Sequence, residues 1–166
     1  MAVEPVPKIC EALTRNVKVN HFDNRVKILN IALGESNGVV SFHEAEDSTM
    51  GSLAVDGYQG QRGRLIEVQC RILDSVVEEL KIEPDFMKID VEGFEHIVLS
   101  GATAMLNKYH PRIVLEANPG DRADLVTEIL SRHGYSFHNI TDGGLEKRSE
   151  IQPREDFRNW LCVPAS

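Results

Sequence analysis

Strand-like and helix-like patterns alternate between residues 66 and 117, and this alternation limits the fold more than any other feature of the chain. The short runs 66–72, 86–91 and 112–117 carry the apolar patterns of strands. Apolar residues recur at helical spacing over 73–80 and 94–105, which lie between those runs. Because strands that alternate with helices are typical of α/β domains, we predict an α/β fold with a mostly parallel sheet.

The first third of the chain continues the same pattern. Residues 3–5 are predicted to end a strand, and Pro7 suits the first turn of the helix that follows. We expect that helix to end near Asn16. The apolar run 26–33 predicts one buried strand, and 39–43 predicts a second strand after a Ser-Asn-Gly turn.

The remaining segments predict a long loop and a C-terminal group of strands. Residues 47–64, rich in Gly, Ser and Gln, have weak periodicity and predict a surface loop. Residues 135–140 and 157–163 have strand patterns, with the turn 142–144 but no helix between them. Strands that follow one another in this way predict an antiparallel edge at the C-terminal end.

Three residues have the positions and chemistry of helix ends. Asp74 and Asp121 each precede or begin a helical pattern, so we expect them to cap the first turn of those helices. Gly134 follows the last helical pattern and is expected to end it.

Composition excludes several classes of protein. The 166 residues, 42% of them hydrophobic, fit a single domain over 1–166 with a sizeable core. A net charge of -8 argues against a nucleic-acid partner, because phosphate binding needs clustered Lys and Arg. The three cysteines follow no CxxC spacing, so we expect neither a disulfide framework nor a structural zinc site, and we expect a cytoplasmic location. No apolar run is long enough to span a membrane.

Carboxylates follow two of the predicted parallel strands. Asp90 and Glu92 come at the end of 86–91, with Glu95 as a third candidate. Ligands of open α/β sheets bind outside the carboxyl ends of the strands, so these groups could remove a proton, orient a substrate or help hold a metal. The alternative is that they only favour the dipole of the next helix.

Glu116 and Asn118 follow the strand 112–117 in the same way. If this strand neighbours the one that ends at Asp90, both sets of polar groups lie at one edge. The alternative is turn formation, since Asn-Pro-Gly-Asp at 118–121 is a favourable turn sequence.

Glu4 comes at the end of another predicted strand. Nucleotide-binding α/β folds hold ribose hydroxyls with a carboxylate at such a position, although a solvated side chain is an equal alternative.

The sequence gives little support to a metalloprotease, a serine hydrolase, a P-loop nucleotidase or a dinucleotide-binding enzyme. The six histidines show no HExxH spacing, and His96 alone lies close to the acidic segment, where a solvated helix histidine is the simpler interpretation. No GxSxG, P-loop or GxGxxG sequence occurs.

Three segments together resemble the signature block of the FkbM methyltransferases. These are KIDVEGFE at 88–95, VLSGA at 98–102 and PRIVLE at 111–116. VEPVP at 3–7 resembles the acid and Pro-x-Pro of the family's second strand, and LDS at 73–75 resembles its helix start. The resemblance covers nearly the whole chain.

The resemblance implies a Rossmann-like class I methyltransferase sheet of seven strands and S-adenosylmethionine as the cofactor. It implies methylation of a hydroxyl oxygen on a small molecule, such as a sugar or polyketide-like metabolite. Glu4, together with Pro5, would hold the cofactor's ribose, and Asp90 would lie beside its methionine end or the acceptor. The candidates for positioning or deprotonating the acceptor are Asp90, Glu92, His96 and Glu116.

One departure from the family leads to a second hypothesis. The family's first strand and its DxGAxxG turn should precede Val3 and do not occur, so we expect an N-terminally truncated domain that lacks the first strand. The alternative function is a catalytically inactive fragment or interaction module, whose open sheet could pair with another protein or form a homodimer. A nicotinamide-dependent oxidoreductase is a third hypothesis, disfavoured by the paired final strands.

Overall fold

The apolar run 26–33 forms two strands in the computed structural model, which describes residues 1–44, 52–53 and 64–165. Strands β2 (Ile28–Leu29) and β3 (Ala32–Leu33) flank Asn30 and pair in different sheets. The Asn30 side-chain amide donates hydrogen bonds to the backbone oxygens of Glu4 (2.8 Å) and Pro5 (2.9 Å). The prediction of one strand was wrong because this polar side chain binds a neighbouring segment and interrupts the run.

The described residues group into two compact units, Met1–Arg71 and Ile72–Ser166. Each contains helices and strands, so the predicted α/β fold is confirmed. The assignment of 1–166 as one domain stays a prediction. Within the described ranges, no helix combines the length and apolar character that a membrane crossing requires.

The first unit contains a helix and two small sheets. Its remaining elements are β1 (Ala2–Val3), α1 (Pro7–Val19), β4 (Gly38–Glu44), β5 (Ser52–Leu53) and β6 (Arg64–Arg71). β1 pairs with β2 in parallel, and β6 pairs with β3 in parallel and with β4 antiparallel. A small core lies within this unit, made of Val6, Ala32, Phe42, Val68 and Cys70.

Two predictions for the first unit concern the end of α1 and the loop at 47–64. The first was wrong, and the second falls mostly outside the residues that the structure describes. α1 begins at Pro7 as predicted, but it continues past Asn16 to Val19. The backbone N–H of Asn20 then donates to the Asn16 oxygen at 3.2 Å and ends the helix. The loop predicted at 47–64 lies outside the described residues, except for β5, which pairs with β4, and Arg64, which begins β6.

The described residues of the second unit form four helices and five strands. Its elements are α2 (Leu73–Leu80), β7 (Phe86–Ile89), α3 (Glu95–Ser100), α4 (Thr103–Tyr109), β8 (Arg112–Glu116), α5 (Ala123–Arg132), β9 (Tyr135–Thr141), β10 (Gly144–Arg148) and β11 (Asn159–Pro164). Five strands form one sheet in the order β10-β9-β11-β8-β7.

Strand direction in this sheet follows the connections. β7, β8 and β9, which each follow a helix, run in one direction, because β7 pairs with β8 in parallel and β11 pairs antiparallel with both β8 and β9. The predicted antiparallel pairing at the C-terminal end is confirmed. β11 nevertheless lies inside the sheet, so most strand neighbours in the described residues are antiparallel. The edge strand β10 was not predicted, because all five of its residues are exposed and show no apolar alternation.

The helix predicted over 94–105 is divided into α3 and α4. The backbone of Gly101 ends α3, and Ala102 precedes the first turn of α4. The side chain of Asp74 allows α4 to begin only three residues after the end of α3. Its carboxylate accepts hydrogen bonds from the backbone nitrogens of Ala104 (2.8 Å) and Met105 (2.7 Å). The prediction that Asp74 caps its own helix was wrong, since Ile72 is the N-cap of α2 and makes no side-chain cap.

The core of the second unit draws side chains from every element except the exposed strand β10. The large hydrophobic side chains that are almost fully buried include Leu73, Leu99, Met105, Leu106, Ile113, Leu115, Leu130 and Trp160. Burial of side chains of this size contributes about 1.5–3 kcal/mol each. Asn139 is also fully buried. Its amide donates to the backbone oxygens of Phe157 (2.8 Å) and Asn159 (3.1 Å), which fixes the chain as it enters β11.

Candidate active site

Parallel strands β7 and β8 bring the predicted acidic residues to one edge of the sheet. Ile89 pairs with Leu115, and the same register continued by one residue places Asp90 beside Glu116. Glu92 and Asp121 follow these strand ends. The negative charges of Asp90, Glu116 and Asp121 all act on Glu92. We call these four carboxylates, Asp90, Glu92, Glu116 and Asp121, the acidic rim.

Glu92 occupies a tight turn with an unusual backbone. The N–H of Phe94 donates to the oxygen of Val91 at 3.4 Å and closes the turn. The φ angles of Glu92 and Gly93, the two central residues, are 53° and 92°. Two successive positive φ values match a type I′ turn, which favours Asn-Gly over Glu-Gly. A non-glycine residue in this region costs about 1–3 kcal/mol, and such strain occurs often at functional sites.

Burial and neighbouring charge set the protonation of Glu92. Burial raises the pKa of its carboxyl group, and the negative charges of Asp90, Glu116 and Asp121 raise it further. The positive charge of Arg158 lowers the pKa and partly offsets these effects. A carboxyl group with a raised pKa is a better proton acceptor when ionised, which suits general base catalysis.

Glu95 lies beneath the turn and does not belong to the acidic rim. Its exposed fraction is 3%, and its Oε1 accepts a hydrogen bond from the backbone nitrogen of Val91 at 3.0 Å. Burial raises the pKa of Glu95, and backbone hydrogen bonds from Val91, Glu95 itself and Gly93 oppose that shift. The interpretation of Glu95 as a third carboxylate facing a ligand was wrong, because this side chain turns inward to the backbone of the turn.

Asp121 was predicted as a helix cap and instead completes a turn after β8. The N–H of Asp121 donates to the Asn118 oxygen at 3.0 Å, with Pro119 and Gly120 (φ 97°) between them, as in a type II turn. Its carboxylate accepts a hydrogen bond from the Asn118 backbone nitrogen. α5 has Arg122 as its N-cap and no side-chain cap. The turn at 118–121, left open by the sequence, is therefore formed, and it carries an acid to the rim.

The pKa of Asp121 depends on groups from three segments. Burial raises it, while the hydrogen bonds from Asn118 and the charges of Arg158 and His96 lower it. His96, on α3, is half-buried and acts on the rim through this interaction. Sequence reasoning missed Asp121 as a site residue, although its place just after the carboxyl end of a parallel strand was a usable signal.

Arg158 is a basic residue that acts on Glu92, Glu116 and Asp121, and sequence reasoning missed it. Antiparallel pairing sets Asn159 against Glu116, and the N–H of Ala117 donates to the Arg158 oxygen at 2.9 Å. This pairing carries the guanidinium Nη1 to 4.0 Å from Glu116 Oε1. The position could be found only from the register of β11, since Arg158 lies 42 residues after Glu116 in the chain.

Asp90 is the most exposed member of the rim that forms an ion pair. Its Oδ2 lies 2.9 Å from Lys88 Nζ, and the two side chains are 45% and 43% exposed. Exposed pairs of this kind contribute about 0–1 kcal/mol, so a ligand could displace Lys88 at little cost.

Glu4 and Pro5 lie in the first unit, directly after β1. Glu4 Oε1 accepts a hydrogen bond from the backbone nitrogen of Val6 at 2.8 Å, which orients the carboxylate at the start of α1. Burial raises the pKa of Glu4 and the Val6 hydrogen bond lowers it. The backbone oxygen of Pro5 accepts a hydrogen bond from Asn30. The roles assigned to both residues stay predictions.

Potential metal ligands do not cluster in the described part of the chain. Among residues 1–44, 52–53 and 64–165, no group of three or more His, Cys, Asp or Glu side chains has the arrangement of a metal site.

Comparison with known proteins identifies the family. The model of the methyltransferase FkbM domain matches residues 1–137. The chain belongs to this family. The resemblance seen in KIDVEGFE and its neighbouring segments is thereby confirmed.

A solved structure shows the same fold. The chain is similar to the crystal structure of methyltransferase FkbM from Methylobacillus flagellatus KT, with a TM-score of 0.58 and 20% sequence identity. The match covers 97% of this chain and 35% of that chain, so the FkbM domain described here spans about a third of that protein's length. Comparison with curated proteins gives no match.

Proposed function

We propose that this FkbM domain belongs to an S-adenosylmethionine-dependent methyltransferase that methylates a hydroxyl oxygen of a small molecule, such as a sugar or polyketide-like metabolite. Membership of the family supports the reaction class. The observation that carries the proposal is the position of Glu92, a half-buried carboxylate with a raised pKa at the carboxyl ends of two parallel strands. This is the edge at which open α/β sheets bind their ligands.

The residues that directly follow β1 and β7 suit the cofactor chemically. S-adenosylmethionine would supply an electrophilic methyl group on a positively charged sulfur. Glu4 would accept hydrogen bonds from the ribose hydroxyls, since an ionised carboxylate offers about four acceptor sites and the structure shows one of its oxygens bound by Val6. Pro5 would line the ribose, and Asp90 would accept a hydrogen bond from the amino acid part of the cofactor or from the acceptor.

The acidic rim would prepare the acceptor hydroxyl. Glu92 would accept the proton of the acceptor hydroxyl, and its raised pKa makes it a better base than an exposed carboxylate. Glu116 and His96 would orient the acceptor by hydrogen bonds. Alignment of two reactants can lower a barrier by about 7–11 kcal/mol, so positioning by these groups matters as much as proton removal.

Calorimetry with S-adenosylhomocysteine tests cofactor binding. We expect saturable binding by the unchanged chain and at least about a tenfold loss of affinity in Glu4→Gln, because a charge-assisted hydrogen bond is weakened. The control is Glu11→Gln, which alters an exposed glutamate on the nearby helix α1. Absence of binding, or equal binding by both variants, would contradict the assignment of Glu4.

Transfer of a labelled methyl group to a panel of hydroxylated small molecules tests the reaction. Label should appear on an oxygen of at least one neutral acceptor, and Glu92→Gln should reduce the rate by about a hundredfold or more, the usual effect of removing a general base. A full rate in Glu92→Gln would sink the proposed role of this carboxylate.

A second candidate function is an interaction module without catalysis. In the described residues β7 pairs with β8 alone, and its first residue, Phe86, is 57% exposed. A strand edge with this exposure can accept a strand from another protein or from a second copy in a homodimer. Light scattering over a range of concentrations separates the two candidates. A monomer that binds S-adenosylhomocysteine would count against the module.

A further inference from the structure

The chain buries a charged side chain that the proposed reaction does not use. Glu95 begins α3, is 3% exposed, and directs Oε1 to the backbone nitrogen of Val91 at 3.0 Å. Burial of a carboxylate is costly unless hydrogen bonds compensate it. An apolar side chain would fill the same space at lower cost, so stability alone does not account for a glutamate at this position.

We infer that Glu95 is a positioning residue, whose carboxylate holds the turn Val91–Phe94 in the conformation that keeps Glu92 within the acidic rim. The inference rests on the proposed function only in taking Glu92 as the reacting base. The contact itself joins two atoms in the structure, the Val91 nitrogen and Glu95 Oε1.

The backbone of the turn explains why it needs such support. Glu92 and Gly93 both have positive φ, and the hydrogen bond that closes the turn is long, at 3.4 Å. Glutamate has no intrinsic preference for this region, unlike Asn or Gly. Without the Glu95 carboxylate, the turn would relax to negative φ at residue 92, and the direction of the Glu92 side chain would change.

Electrostatic forces within the rim act in the same direction as this relaxation. Glu92 faces the negative charges of Asp90 from β7, Glu116 from β8 and Asp121 from the turn after it, against the positive charge of Arg158 before β11. Net repulsion favours movement of the Glu92 carboxylate toward solvent. The hydrogen bond from Val91 to Glu95 opposes that movement from the buried side of the turn.

Two substitutions separate hydrogen bonding from volume. Glu95→Gln keeps an oxygen in place to accept the Val91 N–H, whereas Glu95→Met keeps the length of the side chain and removes the acceptor. Glu83→Gln, an exposed glutamate before β7, is the matched control for the change of charge. Circular dichroism establishes that each variant is folded before it is compared.

The decisive measurement is the pKa of Glu92, followed by the carbon NMR signal of its carboxyl group in glutamate-labelled protein. We expect the raised pKa to persist in Glu95→Gln and Glu83→Gln and to fall toward its ordinary value in Glu95→Met. The Val91 amide should exchange with solvent about tenfold faster in Glu95→Met than in Glu95→Gln, because only the former loses the acceptor.

The outcomes separate a positioning role from a merely structural one. An unchanged Glu92 pKa in folded Glu95→Met would overturn the inference, and so would a fall of the Glu92 pKa in both Glu95 variants. None of these measurements needs cofactor or acceptor, so failure here is distinct from failure of the proposed reaction.

If Glu95→Met does not fold, the unchanged chain still provides a test. The amide proton of Val91 is expected to shift with pH in step with the titration of the Glu95 carboxyl group, because the two are joined by a hydrogen bond. A Val91 amide that does not respond to this titration would refute the inference.

Discussion

The carboxylate of Asp74, in the first turn of α2, lies 2.7 Å from the backbone nitrogen of Met105, in the first turn of α4. The backbone N–H of Asp74 also donates to the oxygen of Gly101 at 2.9 Å. Asp74 of α2 therefore donates a hydrogen bond to the backbone at the end of α3 and accepts hydrogen bonds from the backbone at the start of α4. The division of residues 94–105 into two helices depends on this side chain, because the free N–H groups of a helix start need acceptors.

Asp74→Ala is expected to lower the free energy of unfolding by about 1–2 kcal/mol, the usual effect of losing a helix cap. Urea unfolding followed by circular dichroism measures this change. Glu78→Ala, an exposed position on the same helix, provides the control and should change stability by less than about 0.5 kcal/mol. Equal effects of the two substitutions would show that Asp74 does not cap α4.

Glu92→Asn is expected to be more stable than Glu92→Gln by about 1 kcal/mol, because Asn adopts positive φ more readily before Gly93. Both variants remove the charge, so their difference isolates the backbone conformation of the turn. Thermal and urea unfolding measure it, while both variants should lose methyl transfer. Equal stability of the two variants would mean that the turn carries no strain at Glu92.

Glu92→Gln is expected to stabilise the chain more at neutral pH than near pH 4. The folded-state pKa of Glu92 lies above its ordinary value of 4.5, because burial and the neighbouring acids disfavour the charge. The folded state therefore keeps this proton after the unfolded state has lost it, and stability falls as pH rises from 4.5 through the folded pKa. Urea unfolding of both proteins from pH 4 to pH 7.5 measures the difference. A stabilisation that does not grow with pH would contradict the raised pKa.

Arg158→Gln is expected to raise the pKa of Glu92 and of Asp121, since the positive charge that lowers both is removed. Methyl transfer that needs ionised Glu92 would then begin at a higher pH. The pH dependence of the transfer rate, measured at low salt where charge effects are least screened, gives the shift. Arg148→Gln, whose ion pair with Glu146 lies within the β9–β10 hairpin, should leave the profile unchanged. A pH profile that does not shift in Arg158→Gln would show that Arg158 does not act on the carboxylates of the rim.

Part of the candidate site followed from the sequence alone. Asp90 and Glu116 directly follow apolar runs, and parallel strands connected by helices bring such residues to one edge of a sheet. The structure agrees, because β7 and β8 are parallel neighbours in register. The roles of Asp90, Glu92, His96 and Glu116 in the reaction stay predictions.

The direction of individual side chains did not follow from the sequence. Glu92 and Glu95 are three residues apart in one acidic motif and have similar chemistry. One faces the acidic rim from a strained turn, and the other is buried beneath that turn. Backbone hydrogen bonds to Glu95, including the one from Val91, accompany this difference, and no spacing of residues reveals them.

What the sequence by itself determined is the alternation of strands and helices, because apolar spacing is a local property that each segment carries alone. It also determined the family, through KIDVEGFE and the segments that accompany it. The tertiary structure decided where polar groups find their partners. Asn30 divides a strand by binding residues 25 and 26 positions earlier, and Asp74 caps a helix 31 positions later. Arg158 reaches Glu116 only through the antiparallel register of β11. Contacts at these distances depend on how the chain packs, since a polar side chain binds a partner that is near in space, whatever its distance along the chain.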